Sequence, residues 1–322
     1  MKPHVLAIDL GGTHVTCGLV SGQTLMGEAT LNLADTLLLG PVLPQIATAL
    51  RELLDQHGIP QSDVAGIGLG FCGIALSREN RVASTNGKYE DAPSLDLPGW
   101  ALEEFDLPLR IENDARMALL GESYVGAARG ETDVVMFTLG TGIGGVAMID
   151  GRLLEGKHGQ AGLLGGHFPV RIDGRPCTCG AIGCAESEAG GWALPAVCRE
   201  WPGFPSSILA GQELNFRNLF AAADTGDRVA VEVREHCLKV WSLAAVAAIH
   251  AFDPDVLVYG GGVMRSADLI LPYIQNHVAK HTWTPWGTVQ VRAAQLGDRA
   301  ALLGAVPLLS QTESPVSRSH VR

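Results

Sequence analysis

The chain has 322 residues and a mass of 33.9 kDa, and its hydrophobic fraction of 47% with a mean hydropathy of +0.19 excludes a wholly disordered protein. Its formal net charge is -11, and it lacks the Lys/Arg cluster typical of nucleic-acid binders, so we expect no nucleic-acid partner. With no signal-peptide pattern and no run of eighteen apolar residues, we also expect a cytoplasmic location and no membrane partner.

Strands and helices alternate in the first part of the chain. Residues 4–12, HVLAIDLGG, are predicted to form a buried strand ending in a glycine turn, and hairpin strands follow. A helix that ends at Gly58 is predicted for PVLPQIATALRELLDQHG from its apolar spacing. After another strand comes a polar loop at residues 84–99, and LPLRIENDARMALLGESYVG predicts a strand joined tightly to a helix.

The second part of the chain repeats this alternation. Two strands around a glycine-rich turn are predicted for DVVMFTLGTGIGGVAMIDG, and a long buried helix is predicted to end at Pro254. A strand, a glycine turn and a helix follow in DVLVYGGGVMRSADLILPYIQNHV. Because AIDLGGTHVTCGLV and FTLGTGIGGVAMID share one plan about 130 residues apart, we predict two related α/β lobes.

These patterns give a domain prediction. The N-terminal lobe is expected at residues 1–115, joined by a closing helix at 298–310, and the C-terminal lobe at 116–297. The polar tail at 311–322 is expected to be flexible.

Three glycine turns are candidates for ligand binding. They are DLGGT at residues 9–13, TLGTG at 138–142 and GGGV at 260–263. None fits the P-loop or the dinucleotide-binding pattern, and each alone is either a tight structural turn or a ligand loop. Taken together, their N–H groups and threonine hydroxyls suit phosphate oxygens, and Asp9 could hold Mg²⁺ through water.

Asn113 and Asp114 lie where a predicted strand passes into a helix. One interpretation is helix capping, which is common for both residue types. The other makes Asp114 a base that accepts a hydroxyl proton during phosphoryl transfer, a reaction that depends mainly on positioning and charge neutralisation.

His167, Cys177, Cys179 and Cys184 offer one imidazole and three thiols within eighteen positions. Such a set matches a tetrahedral structural Zn²⁺ site, whereas a redox pair is more often spaced C-x-x-C; scattered core cysteines are the remaining alternative. Glu186 follows the last cysteine by two residues. It is either a solvent-facing residue at a helix start or an acceptor for a ligand hydroxyl held rigid by the metal.

The motifs DLGGT, END, TLGTGIGG, GH with CxCGxxGCxE, and GGGV, in this order between residues 4 and 306, resemble the ROK sugar kinases (repressor, open reading frame, kinase). The resemblance implies an α/β, two-lobed actin/hexokinase-like (ribonuclease H-like) ATPase fold with an interlobe cleft. It also implies a glucokinase-like enzyme that phosphorylates a hexose or hexose derivative at O6. The alternatives are a non-catalytic sugar-sensing protein and a sugar-independent ATPase of the same fold.

The resemblance assigns roles residue by residue, with Asp114 as the catalytic base. The implied sugar-binding residues are Asn86, Asn113, Asp114, His167 and Glu186. The implied ATP- and phosphate-binding residues are Asp9, Gly11, Gly12, Thr13, Thr138, Gly140, Thr141, Gly142, Gly260, Gly261 and Gly262. The implied zinc ligands are His167, Cys177, Cys179 and Cys184.

The cofactors implied are therefore ATP, Mg²⁺ and structural Zn²⁺, the small-molecule partner is a sugar, and a homodimer is compatible with the family. Family regulators carry an N-terminal DNA-binding domain; because the first phosphate motif starts at residue 9, we expect none here.

Two features depart from the family pattern. Leu164 stands where the family usually has a sugar-binding glutamate, and a hydrogen bond to a charged group is worth roughly 1.5–3 kcal/mol. We therefore expect either weaker glucose binding or a sugar with an apolar group at that position. In the unusual loop at 84–99, Lys88 is either a solvated side chain or a contact for a substrate anion.

Overall fold

Two units, each built on a five-stranded sheet, make up the chain in the computed structural model, which describes residues 2–12, 14–33, 36–85, 87–163 and 165–310. Among the described residues, the first unit runs to Tyr124 and includes residues 299–310, whereas the second is Val125–Asp298. The predicted division between residues 115 and 116 falls inside a helix that ends at this boundary. Four predictions concern parts of the chain outside the described residues: those for Thr13, Asn86, Leu164 and the tail 311–322.

The strands of the two units are β1 (His4–Leu10), β2 (His14–Ser21), β3 (Thr24–Asn32), β4 (Val64–Phe71), β5 (Ile74–Leu76), β6 (Arg81–Ser84), β7 (Leu109–Asn113), β8 (Val134–Leu139), β9 (Ile143–Ile149), β10 (Arg152–Leu153), β11 (Val256–Gly260) and β12 (Gln290–Ala293). The helices are α1 (Leu43–His57), α2 (Leu97–Phe105), α3 (Asp114–Val125), α4 (Ala185–Ala189), α5 (Leu194–Glu200), α6 (Phe216–Asp224), α7 (Arg228–Phe252), α8 (Ala267–His281) and α9 (Ala300–Ser310).

The sheet of the first unit has the order β3-β2-β1-β4-β7. β1 to β3 form an antiparallel meander, and β4 and β7 continue the sheet in parallel with β1. The edge strand β3 alternates exposed and half-buried residues, whereas β4 is buried at nearly every position. This contrast follows from their places in the sheet, because a central parallel strand is covered on both faces.

The second unit repeats this plan with the order β10-β9-β8-β11-β12. β8 and β9 form the antiparallel pair, and β11 and β12 run parallel to β8. The long helix α7 lies in the core of this unit, where Trp241 is fully buried. The two glycine-turn hairpins, predicted to be related, thus occupy equivalent positions in the two sheets: β1 and β2 in the first, β8 and β9 in the second.

Helix α9 completes the first unit although it comes last in the chain. It packs against β4 and β1. A Cβ on Gly304 would lie 2.0 Å from the Met117 carbonyl oxygen, and one on Gly121 would lie 2.0 Å from the Ala300 carbonyl oxygen. Because α3 and α9 approach this closely, their facing positions require glycine.

Local signals explain where several helices begin and end. Gly58 follows α1 with a φ of 64°, a left-handed conformation that glycine adopts without strain. The Asp227 carboxylate accepts from the Ala230 N–H at 2.9 Å and caps α7, which ends at Phe252 before Pro254. Residues 185–224 contain α4, α5 and α6, of which the sequence analysis considered only a helix start at Glu186. Among the helices of the described residues, none combines the length and the hydropathy that a membrane crossing needs.

Candidate active site

The carboxyl ends of three parallel strands bring two aspartates together in the first unit. In the sheet register, Asp9 pairs with Gly70 and Phe71 pairs with Asn113, so Asp114 follows at the same edge. An ideal Cβ on Gly70 would lie 3.4 Å from Asp9 Oδ1 and 3.4 Å from the Asp114 Cα. Met117 Sδ would lie still closer to that Cβ, at 3.2 Å, so the two aspartates flank a closely packed position at which glycine lets the neighbouring groups approach.

Asp114 is the first residue of α3. Its Oδ1 accepts hydrogen bonds from the Ala115 N–H at 2.8 Å and from Asn113 Nδ2 at 2.9 Å. Burial raises the pKa of Asp114 to about 6, and these two hydrogen bonds lower it in part. A carboxyl group with this pKa is mostly ionised at neutral pH. It can still accept a proton from a substrate hydroxyl, because its pKa lies close to neutral pH.

Asn113 is held inside the first unit by its own hydrogen bonds. Its Oδ1 accepts from the Arg116 N–H at 3.2 Å, which is a helix cap, and its Nδ2 also donates to the Gly73 carbonyl at 3.0 Å. The capping interpretation is therefore correct for Asn113. The same Asn113 side chain caps α3 and hydrogen-bonds to the Asp114 carboxylate, so it both begins the helix and orients the carboxylate. The predicted contact of Asn113 with a sugar stays a prediction.

A buried ion pair supports this junction. Glu112 Oε1 accepts from the Asn113 N–H at 2.8 Å and lies 3.4 Å from Arg116 Nη1, and both charged side chains are about 1% exposed. Glu112 is the first residue of the END motif, but no role was predicted for it or for Arg116. The sequence signal for the pair was two opposite charges four positions apart across the strand-to-helix junction.

The loop at 84–99 holds the first glycine turn. Tyr89 Oη donates to the Gly11 carbonyl at 3.0 Å, and Lys88 Nζ donates to the carbonyl oxygens of Gly12 and, at 3.0 Å, of Leu33. Neither predicted alternative for Lys88 included this role as an anchor of the backbone. A Cβ on Gly12 would meet no heavy atom within 4 Å, so the turn is open on that side.

The second glycine turn joins β8 and β9 in the second unit. The Gly140 N–H donates to the Gly142 carbonyl at 3.0 Å, and a Cβ on Gly140 would meet nothing within 4 Å. Thr141 is exposed at the tip. The third turn lies behind the second, because a Cβ on Gly261 would come within 2.3 Å of the Leu139 carbonyl oxygen.

Among the predicted turn glycines, all of which the structure describes, only Gly261 has a positive φ, at 91°. A left-handed backbone therefore does not explain why the other turn positions are glycine. At Gly12, Gly140 and Gly262 the Cβ position is open, whereas at Gly142 it would lie 2.5 Å from Glu186 Oε2. Glycine serves these turns by leaving space for a ligand or for a neighbouring carboxylate.

A pocket of about 340 Å³ opens beside the second turn, within the second unit. It is lined by residues 138–144 together with Leu163, His167, Glu186 and Gly261. One phosphate-type turn and two polar side chains expected on the sugar side thus share a single cavity. A concave site with a few convergent polar groups is a typical place for a ligand.

Glu186 is bonded to the second turn. Its Oε2 accepts from the Ile143 N–H at 2.8 Å, and its Oε1 accepts from Trp192 Nε1 at 3.0 Å. The solvent-facing alternative for Glu186 is therefore wrong, because the side chain is only half-exposed and both oxygens are hydrogen-bonded. Trp192 was not predicted as a site residue, and an aromatic residue after two glycines carries no recognisable signal.

The predicted zinc ligands lie together. The four ligand atoms of His167, Cys177, Cys179 and Cys184 are all within 4.8 Å of one another. The Sγ atoms of Cys179 and Cys184 are 3.7 Å apart, and Cys177 Sγ is 3.4 Å from His167 Nδ1. Tetrahedral Zn²⁺ with Zn–S bonds of about 2.3 Å places two sulfurs about 3.8 Å apart and sulfur about 3.6 Å from nitrogen. The cluster therefore fits a zinc ion.

Glu188, in α4, binds Arg175 and so connects the cysteine loop to this helix. This fully buried carboxylate accepts from the Arg175 N–H at 2.6 Å and from Arg175 Nη1 at 3.0 Å. Gly183 has a φ of 70°, and a Cβ there would come within 1.7 Å of the Arg171 carbonyl oxygen. The loop is thus folded tightly by backbone constraints as well as by its ligand set.

Comparison with known proteins gives concordant results. A model of the ROK family matches residues 5–312. A glucokinase of Thermotoga maritima is 32% identical over 321 residues, which cover 96% of this chain and 98% of that protein. A solved ROK hexokinase from Thermus thermophilus is 29% identical with a TM-score of 0.78, covering 95% of this chain and 97% of that one.

A solved ROK family glucokinase from Streptomyces griseus, in complex with glucose and AMPPNP, is also 29% identical. Its TM-score is 0.74, and the match covers 96% of this chain and 100% of that one. These similarities extend over nearly the whole chain and confirm the predicted α/β fold class.

Proposed function

The chain belongs to the ROK family, and from that premise we propose that this sugar kinase transfers the terminal phosphoryl group of ATP to O6 of a hexose or hexose derivative. The relatives described above include a glucokinase and a hexokinase, which supports the reaction class. The observation that carries the proposal is Asp114, a half-buried carboxyl group at the same sheet edge as Asp9, with its pKa raised to about 6 by desolvation.

Asp114 acts as the base in the proposed reaction. The sugar hydroxyl oxygen forms a bond to the terminal phosphorus of ATP, the bond from that phosphorus to the bridging oxygen breaks, and ADP leaves. The hydroxyl proton passes to the Asp114 carboxylate. Ala115 and Asn113 each donate a hydrogen bond to Oδ1, which fixes the carboxylate and leaves its other oxygen available.

The three glycine turns would hold the nucleotide. Open space beside Gly12, Gly140 and Gly262 supports a close approach of phosphate oxygens to the backbone. The proposed set is Asp9, Gly11, Gly12, Thr13, Thr138, Gly140, Thr141, Gly142, Gly260, Gly261 and Gly262. Mg²⁺ would neutralise phosphate charge, and Asp9 is the carboxylate that would hold it through water.

Glu186 and His167 would bind the sugar, together with Asn113 and Asn86. Glu186 has lone pairs left after its two hydrogen bonds, because a carboxylate accepts about four. His167 directs Nδ1 toward Cys177, and the same side chain lines the pocket. A zinc ion held by His167 and the three cysteines would fix both groups. The homodimer and the cytoplasmic location remain predictions.

ADP release measured over a panel of hexoses and N-acylated hexoses tests the proposal, with Asp114→Asn as the inactive control. We expect release that depends on one sugar class and is lost in the variant. Release without any sugar would instead identify an ATPase. Thermal stabilisation by a sugar without turnover would identify a sugar sensor.

A further inference from the structure

Trp192 connects two parts of the site that the motifs treat as separate. It follows α4 in the segment 190–192, and its indole is 40% exposed, so hydrophobic burial alone does not explain its orientation. Nε1 donates to Glu186 Oε1 at 3.0 Å. The indole therefore faces the carboxylate that is proposed to bind the sugar.

The backbone of the same segment is attached to the second glycine turn. The Trp192 N–H donates to the Thr141 carbonyl at 2.8 Å, and the Gly191 N–H donates to the Gly140 carbonyl at 3.1 Å. A Cβ on Gly191 would lie 2.6 Å from that Gly140 oxygen, so the approach requires glycine. The segment is thus fixed on the turn before its side chain reaches Glu186.

The second oxygen of the Glu186 carboxylate is also bound, to the strand that follows the glycine turn. Glu186 Oε2 accepts from the Ile143 N–H at 2.8 Å and lies where a Cβ on Gly142 would stand. One oxygen is therefore held by the indole and the other by the strand that leaves the turn. Each bond involves a charged acceptor and is stronger than a neutral hydrogen bond.

We propose that Trp192 is a positioning residue that holds the Glu186 carboxylate against the second glycine turn, so that the sugar acceptor and the phosphate turn keep a fixed distance. This inference rests on the proposed function for its effect on sugar binding. Such a role matters because an acceptor group must be held within a fraction of an ångström to select a hydroxyl.

Trp192→Phe removes the indole N–H while keeping an aromatic side chain and the backbone bond to Thr141. We expect the KM for the sugar to rise about fivefold to tenfold, as for the loss of one hydrogen bond to a charged group, with kcat and the KM for ATP changed less than about twofold. Trp283→Phe is the matched control, because Trp283 is 83% exposed and makes its hydrogen bond through the backbone. An unchanged sugar KM in Trp192→Phe overturns the proposal.

Amide hydrogen exchange at Ile143 gives a readout that needs no activity. With the indole bond gone, Glu186 is held at one oxygen only, and we expect the Ile143 amide to exchange about fivefold faster in Trp192→Phe but not in Trp283→Phe. If the wild type releases ADP with no hexose, the proposed function fails. In that case the exchange rate of the Ile143 amide alone decides whether Trp192 positions Glu186. Equal rates in the variant and the wild type reject it.

A second variant tests whether Trp192 acts through Glu186 or through a general loosening of the loop. Glu186→Ala removes the shared acceptor, so adding Trp192→Phe to it should change the Ile143 exchange rate no further. Additive effects of the two substitutions contradict the proposal, because they show that the indole acts on the turn by another route.

Discussion

Asp114 illustrates how one residue combines roles that the sequence leaves as alternatives. Its place at the start of α3 and the cap supplied by Asn113 are structural, and burial at the sheet edge raises its pKa to about 6. Both follow from a strand that turns directly into a helix, where the first side chain is held by N–H groups yet partly removed from water.

The pH dependence of activity should report this carboxyl group. Because the base must be ionised, we expect kcat/KM to rise with pH through about 6 and to level off above 7. Asp114→Asn should lower kcat at least about a hundredfold at pH 8, where the wild-type carboxyl group is ionised, and by a smaller factor at pH 5. A rate profile flat between pH 5 and 8, with the protein shown to be folded, contradicts this assignment.

The same group should have the opposite effect on stability. Its pKa is raised on folding above the value of 3.8 for a free side chain, so its stabilising contribution is present below about pH 4 and is lost as the pH rises through about 6. Asp114→Asn should therefore not lower Tm at pH 8, although it removes activity. Thermal melts of both proteins between pH 4 and 8 measure this difference.

Lys88 should control the first glycine turn. Its ammonium group holds the carbonyl oxygens of Gly12 and Leu33, so Lys88→Met should raise the KM for ATP about threefold to tenfold. Lys157→Met is the control, because Lys157 is exposed in the second unit. Lys88→Arg should restore part of the affinity, and equal KM values in all four proteins would show that the turn does not need this anchor.

Leu164 bears on substrate choice, and its prediction comes from the sequence. Leu164→Glu restores the charged group that the family pattern has there, so we expect kcat/KM for glucose to rise about tenfold. Kinetics over the hexose panel measure the change. If glucose phosphorylation does not improve in the folded variant, then the loop at 84–99 determines the preference.

At the scale of elements, the cysteine loop and α4 act as one piece. The loop carries His167 and the three cysteines, and Cys184 is the residue immediately before α4, two positions before Glu186. The proposed zinc ligands therefore end where the helix that carries Glu186 begins. Because metal bonds would take the place of a hydrophobic core in this loop, we expect the loop to depend on the metal for its fold.

Removal of zinc tests this dependence. After chelation verified by metal analysis, we expect Tm to fall by about 5–10 °C and the sugar dissociation constant to rise at least about tenfold. Adding Zn²⁺ back should restore both values. A melting curve that stays the same after verified removal would show that the loop is held by Glu188 and backbone hydrogen bonds alone.

At the scale of the whole molecule, the chain returns to its first unit at its end. Helix α9 packs on β4 and against α3, the helix that begins with Asp114. The first unit is therefore incomplete until α9 is made. This closure couples residues about 180 positions apart in sequence to the geometry of the proposed base.

Gly304→Val tests that coupling. The added side chain would collide with the Met117 carbonyl oxygen in α3, so we expect a loss of about 3 kcal/mol or more in the free energy of unfolding and a large loss of activity. Gly211→Val is the control, because a Cβ there meets nothing within 4 Å. Denaturant unfolding of both variants measures the difference, and equal stabilities would mean that α9 adjusts freely.

The sequence by itself determined the features that are local along the chain. Strand–turn–strand patterns gave the two glycine-turn hairpins, Gly58 and Pro254 marked helix ends, and the spacing of three cysteines predicted a cluster that the structure brings within bonding distance of one ion. These signals work because turns, caps and chelating loops are formed by neighbouring residues.

Only the tertiary structure decided how the site is held. The bonds of Lys88 to Gly12 and of Glu186 to the Ile143 N–H join residues 76 and 43 positions apart in sequence. The raised pKa of Asp114 likewise depends on burial that no local pattern encodes. Hydrogen bonds and desolvation depend on distances in space, and those are set only when the sheets and helices have packed.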